Sequence, residues 1–270
     1  APVIQIGLYN IVRQTNGMAW EDNESEKIEY KQVVGNGIYD RNENVITNMT
    51  TELYEKVTVD GVEREVVDPY AKSTGINGYR GMIVDFSKTN PVGWENVVLH
   101  NIPSTSLTVY ETHVADVTSH ASWGGTAANA KLFKGLYETG TKYTSNGVTV
   151  TTGFDHIKEL GVNAVQLIPI YDQANDERPD NDPTRTDGSK RAFNWGYNPL
   201  NYNVIEGQYS SNPHDGFVRI KEFRNLVKQF NDDGINVIMD VVYNHVSSLE
   251  KSNFNILMPG YYFRYSGTKP

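Results

Sequence analysis

The sequence predicts an α/β protein in which a β-rich part, residues 1–103, precedes a βαβαβ unit in residues 104–270. Short apolar or β-branched runs separated by Gly, Asn and Asp turns fill the first part. Two later segments carry apolar residues at helical spacing, and a nearly continuous apolar run follows each of them. The 270 residues are 38% hydrophobic and 11% aromatic, which is enough for two packed domains.

The β-rich part shows little helical periodicity. Its strand-like runs include "APVIQIGLYNIV", "YEKVTVDG" and "GMIVDF", each bounded by turn-forming residues. The character of the chain changes near Leu107, where "LTVYETHV" predicts the first strand of the second part. Residues 1–103 therefore form a separate β module in this interpretation.

A helix and a second strand follow the first strand of the α/β part. The segment "TTGFDHIKELG" places Phe154, Ile157 and Leu160 on one helical face, and Gly161 ends the helix. The run "VNAVQLIPI" is almost wholly apolar, which favours a parallel strand covered on both faces over an edge strand. The polar segment "NDERPDNDPTRTDGSK" after it predicts a mobile surface loop.

The next helix carries four apolar residues at helical spacing within "FVRIKEFRNLVKQFNDDG", namely Ile220, Phe223, Val227 and Phe230, and it ends at Gly234. After it, "INVIMDVVYNHV" predicts a third buried strand. Both an open doubly wound sheet and a (β/α)8 barrel accept this βαβαβ pattern, and both place function at the carboxyl ends of the strands.

Polar side chains gather at those predicted strand ends. His113 ends the first strand, and Asp240, Asn244 and His245 end the third. Taken alone, a carboxylate there can cap its own loop, and a histidine is more often a satisfied hydrogen-bonding residue than a ligand. The position of all four side chains nevertheless predicts a functional site at this edge.

Composition excludes several function classes. A formal net charge of -9 and a pI near 5.2 argue against nucleic acid as a partner. No GxGxxG or GxxxxGK[ST] motif opens either helix, so nucleotide binding has no local support. No segment predicts a membrane span. The absence of cysteine fits a reducing cytoplasm or a bacterial exterior, and we favour an extracellular or cell-surface location.

The loop "FNWGYNPLNY", residues 193–202, concentrates aromatic rings beside glycine and asparagine. A sugar ring offers an apolar face for stacking and a rim of hydroxyls for polar side chains. The structural alternative is that Trp195 and Tyr197 only fix a long loop. The pattern as a whole favours carbohydrate binding.

Two motifs resemble a known family. "DVVYNHV" is similar to the first signature region of the α-amylase superfamily, glycoside hydrolase family thirteen. "FNWGYNP" resembles the YNWGYDP signature of its type I pullulanases. Upstream, "VVDPYAKSTGINGYRGMIVDF" and "PVGWEN" resemble the last strands of a family forty-eight carbohydrate-binding module. The resemblance implies part of a β-sandwich module in residues 1–103 and the first three strands of a (β/α)8 barrel in residues 104–270.

The resemblance also implies roles for individual residues. His245 would donate a hydrogen bond to the glucosyl unit at the cleavage point, and the ring of Tyr197 would stack beneath that unit. Trp195 and Asn198 would complete the substrate contacts, although Asn198 stands where the signature has an aspartate. The remaining implied roles are support by Asp240 and Asn244, and calcium ligation by the side-chain oxygen of Asn244.

Retaining glycosidases need a carboxylate nucleophile and a carboxylic acid about 5–5.5 Å apart. In the family these residues follow the fourth and fifth barrel strands, so we expect both beyond Pro270, and we read Glu250 as part of a solvated loop. The chain is then an internal segment of a longer polypeptide and inactive alone. Its open strand edges predict that it aggregates without the remainder.

The resemblance thus predicts a debranching glycoside hydrolase that cleaves α-1,6 linkages in pullulan, amylopectin or limit dextrins with retention. An isoamylase or a glycogen-branching enzyme is the enzymatic alternative, and "NWGY" favours pullulanase over both. A non-catalytic module that only binds α-glucan is the alternative from another class. No cofactor beyond the possible calcium is expected.

Overall fold

The computed structural model describes residues 66–82 and 84–267 in full, and it describes only the backbone of short strands in residues 1–65. Sequence predictions for the remaining residues, including the ends of the run "APVIQIGLYNIV" and Ile83, lie outside the described residues. Within the described part, no helix is long and apolar enough to cross a bilayer.

The described elements up to Met82 are short strands and one 3₁₀ turn. The strands are β1 (Val3–Gln5), β2 (Glu29–Gln32), β3 (Ile38–Tyr39), β4 (Val45–Thr47), β5 (Glu52–Leu53), β6 (Glu55–Val59), β7 (Val62–Val66) and β8 (Gly81–Met82). Their described pairings are antiparallel, in the order β1-β2-β3-β4, β5-β8 and β6-β7. The β-rich character is confirmed, while the sandwich and the boundary at residue 103 stay predictions.

The second part alternates strands with helices. Its strands are β9 (Val109–Thr112), β10 (Lys142–Ser145), β11 (Val148–Thr151), β12 (Ala164–Leu167), β13 (Tyr171–Gln173), β14 (Pro199–Ile205) and β15 (Asn236–Met239). Its helices are α1 (Phe133–Leu136), α2 (Gly153–Glu159), α3 (Gly216–Asp232) and α4 (Asn253–Leu257). Strands β9, β12 and β15 form a parallel sheet with β12 in the middle, as the βαβαβ pattern predicts.

The central strand carries the most buried side chains of this sheet. Ala164, Val165 and Leu167 of β12 are fully buried, as expected for a parallel strand covered on both faces. The prediction of a third buried strand was wrong in extent, because β15 is only half-buried and ends at Met239. The motif "DVVYNHV" follows the strand as an irregular segment, in which Tyr243 is exposed.

Helix α3 has the limits that the sequence predicts. The side chain of Asp215 accepts a hydrogen bond of 2.9 Å from the backbone N–H of Phe217 and so caps the first turn. Gly234, with φ of 78°, ends the helix in the left-handed region that glycine adopts without strain. Ile220 and Phe230 are buried as expected.

Helix α2 differs from prediction at its end. Phe154 and Ile157 are buried, but Leu160 is 48% exposed. The helix ends at Glu159, and Leu160 is its C-cap residue, so its side chain leaves the apolar face. The core lies between helices and sheet, where the rings of Phe154 and Phe230 meet edge to face with centroids 4.9 Å apart.

The polar segment after β13 lies at the surface for much of its length, as its composition predicts, but two of its charged residues are buried. Glu177 within it is fully buried, and Arg185 is only 9% exposed. The guanidinium of Arg185 donates to the carbonyl oxygens of Asp176, Arg178 and Pro179 at 2.8–3.2 Å. These bonds lie within the segment and hold it in one compact conformation.

A chain of buried hydrogen bonds joins distant parts of the sequence, and we call it the buried amide chain. The side-chain oxygen of Asn253 in α4 accepts from the backbone N–H of Val67 at 3.2 Å, and its Nδ2 donates to Oδ1 of Asn201 at 2.9 Å. Nδ2 of Asn201 donates in turn to Oδ2 of Asp172 at 2.6 Å and to the carbonyl oxygen of Gly78 at 2.8 Å. Residues before β9 are therefore bound directly to the α/β part.

Candidate functional site

The aromatic loop, residues 193–202, whose last four residues are the start of β14, contacts a residue just beyond the end of each parallel strand. After β9, Nε2 of His113 lies 2.9 Å from the carbonyl oxygen of Asn194. After β12, Gly196 lies so close to Pro169 that an added Cβ would stand 2.5 Å from the Pro169 carbonyl oxygen. After β15, Asp240 contacts the loop through its side chain. The loop thus covers the edge at which both candidate architectures place function.

Tyr197 and Asp240 form the link to β15. The phenolic hydroxyl of Tyr197 donates a hydrogen bond of 2.7 Å to Oδ2 of Asp240. This bond to a carboxylate, together with partial burial, raises the pKa of Tyr197 to about 12, so the hydroxyl stays protonated and donating at neutral pH. The ring remains 41% exposed, which leaves a face available to a ligand.

His245 also contacts the aromatic loop. Its Nε2 lies 2.8 Å from the carbonyl oxygen of Tyr197, and because a carbonyl oxygen only accepts, Nε2 carries the proton. When only Nε2 is protonated, Nδ1 is an acceptor, so its 3.2 Å contact with Oδ1 of Asn244 is not a hydrogen bond. The hydroxyl of Tyr202 donates to the His245 carbonyl oxygen at 2.6 Å. For Nε2 of His245 to bind a sugar hydroxyl, the ring must therefore release or share its bond to the loop.

Asn198 uses both ends of its amide inside the protein. Its Nδ2 donates to the carbonyl oxygen of Ala174 at 3.1 Å, and its Oδ1 accepts from Nδ2 of Asn194 at 2.9 Å. The backbone N–H of Ala174 also donates to the Asn198 carbonyl oxygen at 3.0 Å. An aspartate at this position would lack the donor to Ala174, which gives a physical reason for asparagine here.

The structure brings most of the predicted site residues together. Tyr197, Asp240, Asn244 and His245 form one connected group, and Asn198 lies at the base of the loop. Trp195 is 62% exposed on the same loop, so its ring is open to solvent. These contacts leave the assigned substrate and supporting roles as predictions.

The sequence interpretation missed a buried charged cluster beneath the loop. Asp172, Glu177, Glu206 and Arg219 are all fully buried. Burial is the main reason that the pKa values of Asp172 and Glu206 are raised well above the ordinary range, and neighbouring carboxylates raise them further. One signal was present in the sequence, because Arg219 lies four positions before Phe223 and so on the apolar face of α3.

The arginine is the cation of this cluster. Nη2 of Arg219 lies 3.1 Å from Oε2 of Glu177 and donates to the carbonyl oxygen of Pro213 at 2.6 Å. The oxygens of Asp172, Glu177 and Glu206 are close enough to share a metal ion, but the guanidinium already supplies positive charge there. Calcium takes six to eight oxygen ligands. Asn244 contributes one oxygen, and that oxygen contacts His245, so calcium at Asn244 stays a prediction.

Comparisons with known proteins point to one family. Residues 138–256 match the family described as "Alpha amylase, catalytic domain". The pullulanase of Bacillus subtilis (strain 168) is 37% identical over 203 residues, which are 74% of this chain and 26% of that protein. "Pullulanase 1, chloroplastic" of Arabidopsis thaliana is 29% identical over 232 residues, or 73% of this chain and 23% of that protein.

Solved structures show the same fold. The pullulanase of Paenibacillus barengoltzii in complex with maltohexaose and alpha-cyclodextrin superposes with a TM-score of 0.70 and 43% identity, over 80% of this chain and 32% of that one. The maltotetraose complex of the pullulanase from Anoxybacillus sp. LM18-11 gives a TM-score of 0.66 and 40% identity, over 79% of this chain and 29% of that one.

The chain spans about a quarter to a third of the length of these relatives. Their similarity decides between the two architectures that the strand order alone leaves open, because it identifies the parallel sheet as part of a (β/α)8 barrel. The chain belongs to the α-amylase family of glycoside hydrolases, and within that family it is of the pullulanase type.

Proposed function

We propose that the chain contributes the substrate-binding edge of a debranching enzyme that hydrolyses α-1,6-glucosidic linkages in α-glucans such as pullulan, amylopectin or limit dextrins. The proposal rests on the contact between two family signatures at the carboxyl ends of the parallel strands. Tyr197 from the aromatic loop bonds to Asp240 at the end of β15, and His245 bonds back to the loop. Relatives named pullulanase, two of them solved with maltooligosaccharides, support the substrate class.

In this proposal the chain binds and orients the substrate. The exposed face of Tyr197 stacks on the glucosyl unit at the cleavage point, as aromatic rings do with the apolar face of a sugar. Asp240 fixes the direction of that ring through its bond to the hydroxyl. Nε2 of His245, which carries a proton, donates to a sugar hydroxyl when the ring releases the Tyr197 carbonyl oxygen.

The bond-breaking carboxylates are placed outside these 270 residues in the same proposal. A retaining mechanism requires a nucleophile and an acid/base about 5–5.5 Å apart across the scissile bond. Neither His245 nor Tyr197 can form the glycosyl-enzyme ester, so both act on binding and on charge development. The rest of the catalytic barrel is the partner that must supply the carboxylates.

The test uses a polypeptide that carries this chain together with the rest of its barrel. We expect release of reducing ends from pullulan, and a fall in kcat of about 10²–10³ in His245→Ala, the range for removing a preorganised donor at developing charge. His214→Ala is the matched control, because His214 is exposed and its ion-pair partner is Asp182, away from the loop. Retention on amylopectin without any release of reducing ends would replace the proposal with a glucan-binding module.

A further inference from the structure

A pocket of about 210 Å³ lies between the end of β9 and the aromatic loop, on the side away from His245. Six side chains that decide its chemistry are His113, Asp116, Lys131, Asp180, Arg191 and Phe193. The space far exceeds the roughly 10–15 Å³ that one water molecule requires. None of the functional assignments above uses this pocket.

The pocket has a rigid apolar wall. The ring of Phe193 is 64% exposed, and its centroid lies 5.3 Å from that of His113. His113 is fixed, because its Nε2 contacts the carbonyl oxygen of Asn194 at 2.9 Å and the hydroxyl of Tyr209 at 3.0 Å, and its Nδ1 accepts from the N–H of Ala115 at 3.1 Å. His113 therefore supports Phe193 from behind, while the free part of the Phe193 ring is open to a ligand.

The opposite wall is polar and carries both signs of charge. Arg191 is half-buried, and burial lowers the pKa of its guanidinium. Within the described residues, its side chain makes one hydrogen bond, from Nη1 to the Gln208 carbonyl oxygen at 2.6 Å, so further N–H groups remain for a ligand. Asp180 accepts from the backbone N–H of Arg191 at 2.7 Å and adds acceptors, as does Asp116.

The mixture of charges selects the ligand class. An anion such as phosphate would meet the carboxylates of Asp116 and Asp180, and an organic cation would meet Lys131 and Arg191. A hydroxyl both donates and accepts, so a neutral polyol satisfies both kinds of side chain. An apolar ring with polar groups around it matches a pyranose, which has an apolar face and a rim of hydroxyls.

The pocket and the candidate site are both bounded by the aromatic loop. Asn194 contacts His113 through its carbonyl oxygen and holds the loop through its side chain, which bonds to the N–H of Gly196 at 3.0 Å. Phe193 precedes Tyr197 by four residues, so the two Cα atoms are at most about 14 Å apart. An oligosaccharide of several glucosyl units is long enough to span that distance.

We propose that this pocket is a second sugar-binding subsite, in which a glucosyl unit of the α-glucan stacks on Phe193 and its hydroxyls bond to Arg191 and Asp180. The inference rests on the proposed function and extends it, since it predicts that the enzyme also binds its substrate away from the cleavage point. Longer glucans bind more tightly because they reach the subsite, whereas a short glucan that stacks on Tyr197 leaves the subsite empty.

The test measures dissociation constants of maltotriose and maltohexaose by isothermal titration calorimetry, in a polypeptide carrying the chain and the rest of its barrel. We expect Phe193→Ala to weaken maltohexaose binding by up to about tenfold, the factor that corresponds to the upper end of what an aromatic contact contributes. Arg191→Gln should weaken it in the same direction. Tyr143→Ala, which removes a 43% exposed ring from the β10–β11 hairpin, is the matched control.

Unchanged maltohexaose affinity in both variants would overturn the subsite. A lower melting temperature in Phe193→Ala with normal affinity in the folded fraction would do the same, because it assigns the ring to packing. Displacement of maltohexaose by inorganic phosphate through Arg191 would also count against a sugar subsite. A protein that binds maltohexaose through Phe193 but releases no reducing ends from pullulan would retain the subsite and refute the hydrolase proposal, so the two failures are distinct.

Discussion

The hydroxyl of Tyr197 donates to a carboxylate oxygen of Asp240 across 43 residues of sequence, at 2.7 Å. This bond joins the aromatic loop to the end of β15 and sets the direction of an exposed ring. It also changes what a tyrosine-to-phenylalanine substitution does. From sequence alone the hydroxyl looks dispensable for stacking, whereas the structure gives it a partner.

We expect Tyr197→Phe to lower both stability and glucan affinity. Hydrogen bonds to charged groups contribute about 1.5–3 kcal/mol, and the partial exposure of Tyr197 places the loss at or below the lower end. Thermal unfolding and glucan titration measure the two effects. Tyr171→Phe is the control, because its hydroxyl makes a longer bond of 3.3 Å to the neutral amide of Asn203. Equal behaviour of both variants would show that the Asp240 bond has no special weight.

The substitution Asn198→Asp restores the residue of the family signature and should destabilise the loop. It replaces the amide donor to the Ala174 carbonyl oxygen by a carboxylate, at a cost of about 1 kcal/mol or more. We expect a lower melting temperature at neutral pH and partial recovery near about pH 3.5, where a protonated aspartate donates again. Asn146→Asp in the exposed β10–β11 turn is the control. A neutral-pH melting temperature at or above that of the natural protein would contradict the assigned contact.

Arg219 should not tolerate lysine. Within the described residues the four N–H groups of its Nη1 and Nη2 share six hydrogen bonds, to Glu177, the hydroxyl of Thr74 and three carbonyl oxygens, whereas an ammonium has three N–H donors. We expect the largest loss of stability in Arg219→Met, a smaller loss in Arg219→Lys and the smallest in Arg224→Lys. The loss in Arg219→Met should approach about 3–5 kcal/mol, which is the cost of breaking a buried ion pair. Denaturant unfolding measures the order, with the more exposed Arg224 of the same helix as control.

The pH dependence of stability should identify Asp172. Its pKa is raised in the folded protein, chiefly by burial, so the stability it contributes is present below the unfolded pKa and is lost as pH rises through the folded pKa. The amide that replaces the carboxyl group in Asp172→Asn does not titrate. The melting temperature of Asp172→Asn minus that of the natural protein should therefore increase between about pH 4 and about pH 8.

Asp187→Asn is the control for this comparison, because the pKa of Asp187 is shifted in the opposite direction. A hydrogen bond from the backbone of Ser189 lowers the pKa of Asp187, which is exposed, so the stability it contributes is present above its unfolded pKa. The melting-temperature difference for Asp187→Asn should fall or stay constant over the same range. A falling difference for Asp172→Asn would mean that Arg219 keeps the Asp172 carboxylate ionised at neutral pH.

Local patterns predicted the elements of the barrel part well. The ends of α3 follow from an Asp cap and from Gly234, and the central position of β12 follows from its continuous apolar run, because both signals lie within a few residues. The predicted burial of Leu160 was wrong, because the apolar spacing continues one residue past the end of the helix. The site residues Tyr197 and His245 came from motif resemblance, which carries spatial information that periodicity lacks.

The buried charges could not be predicted in the same way. Glu177 reads as part of a solvated loop, and its burial depends on Arg219, 42 positions later, and on the backbone N–H of Asn77, 100 positions earlier. Arg219 itself also bonds to the carbonyl oxygen of Gly75, 144 positions earlier. A single sequence contains no local signal for such partners. Only the position of Arg219 on the apolar face of α3 indicated a buried charge.

The buried amide chain has a consequence for biosynthesis. The backbone N–H of Val67 finds its partner at Asn253, 186 positions later, which takes about 9 to 37 s to be made at roughly 5–20 residues per second. During that interval Val66 and Val67, both fully buried in the finished fold, lack the α4 residues that cover them. Strand β7 and Val67 therefore cannot reach their native contacts until α4 has been synthesised.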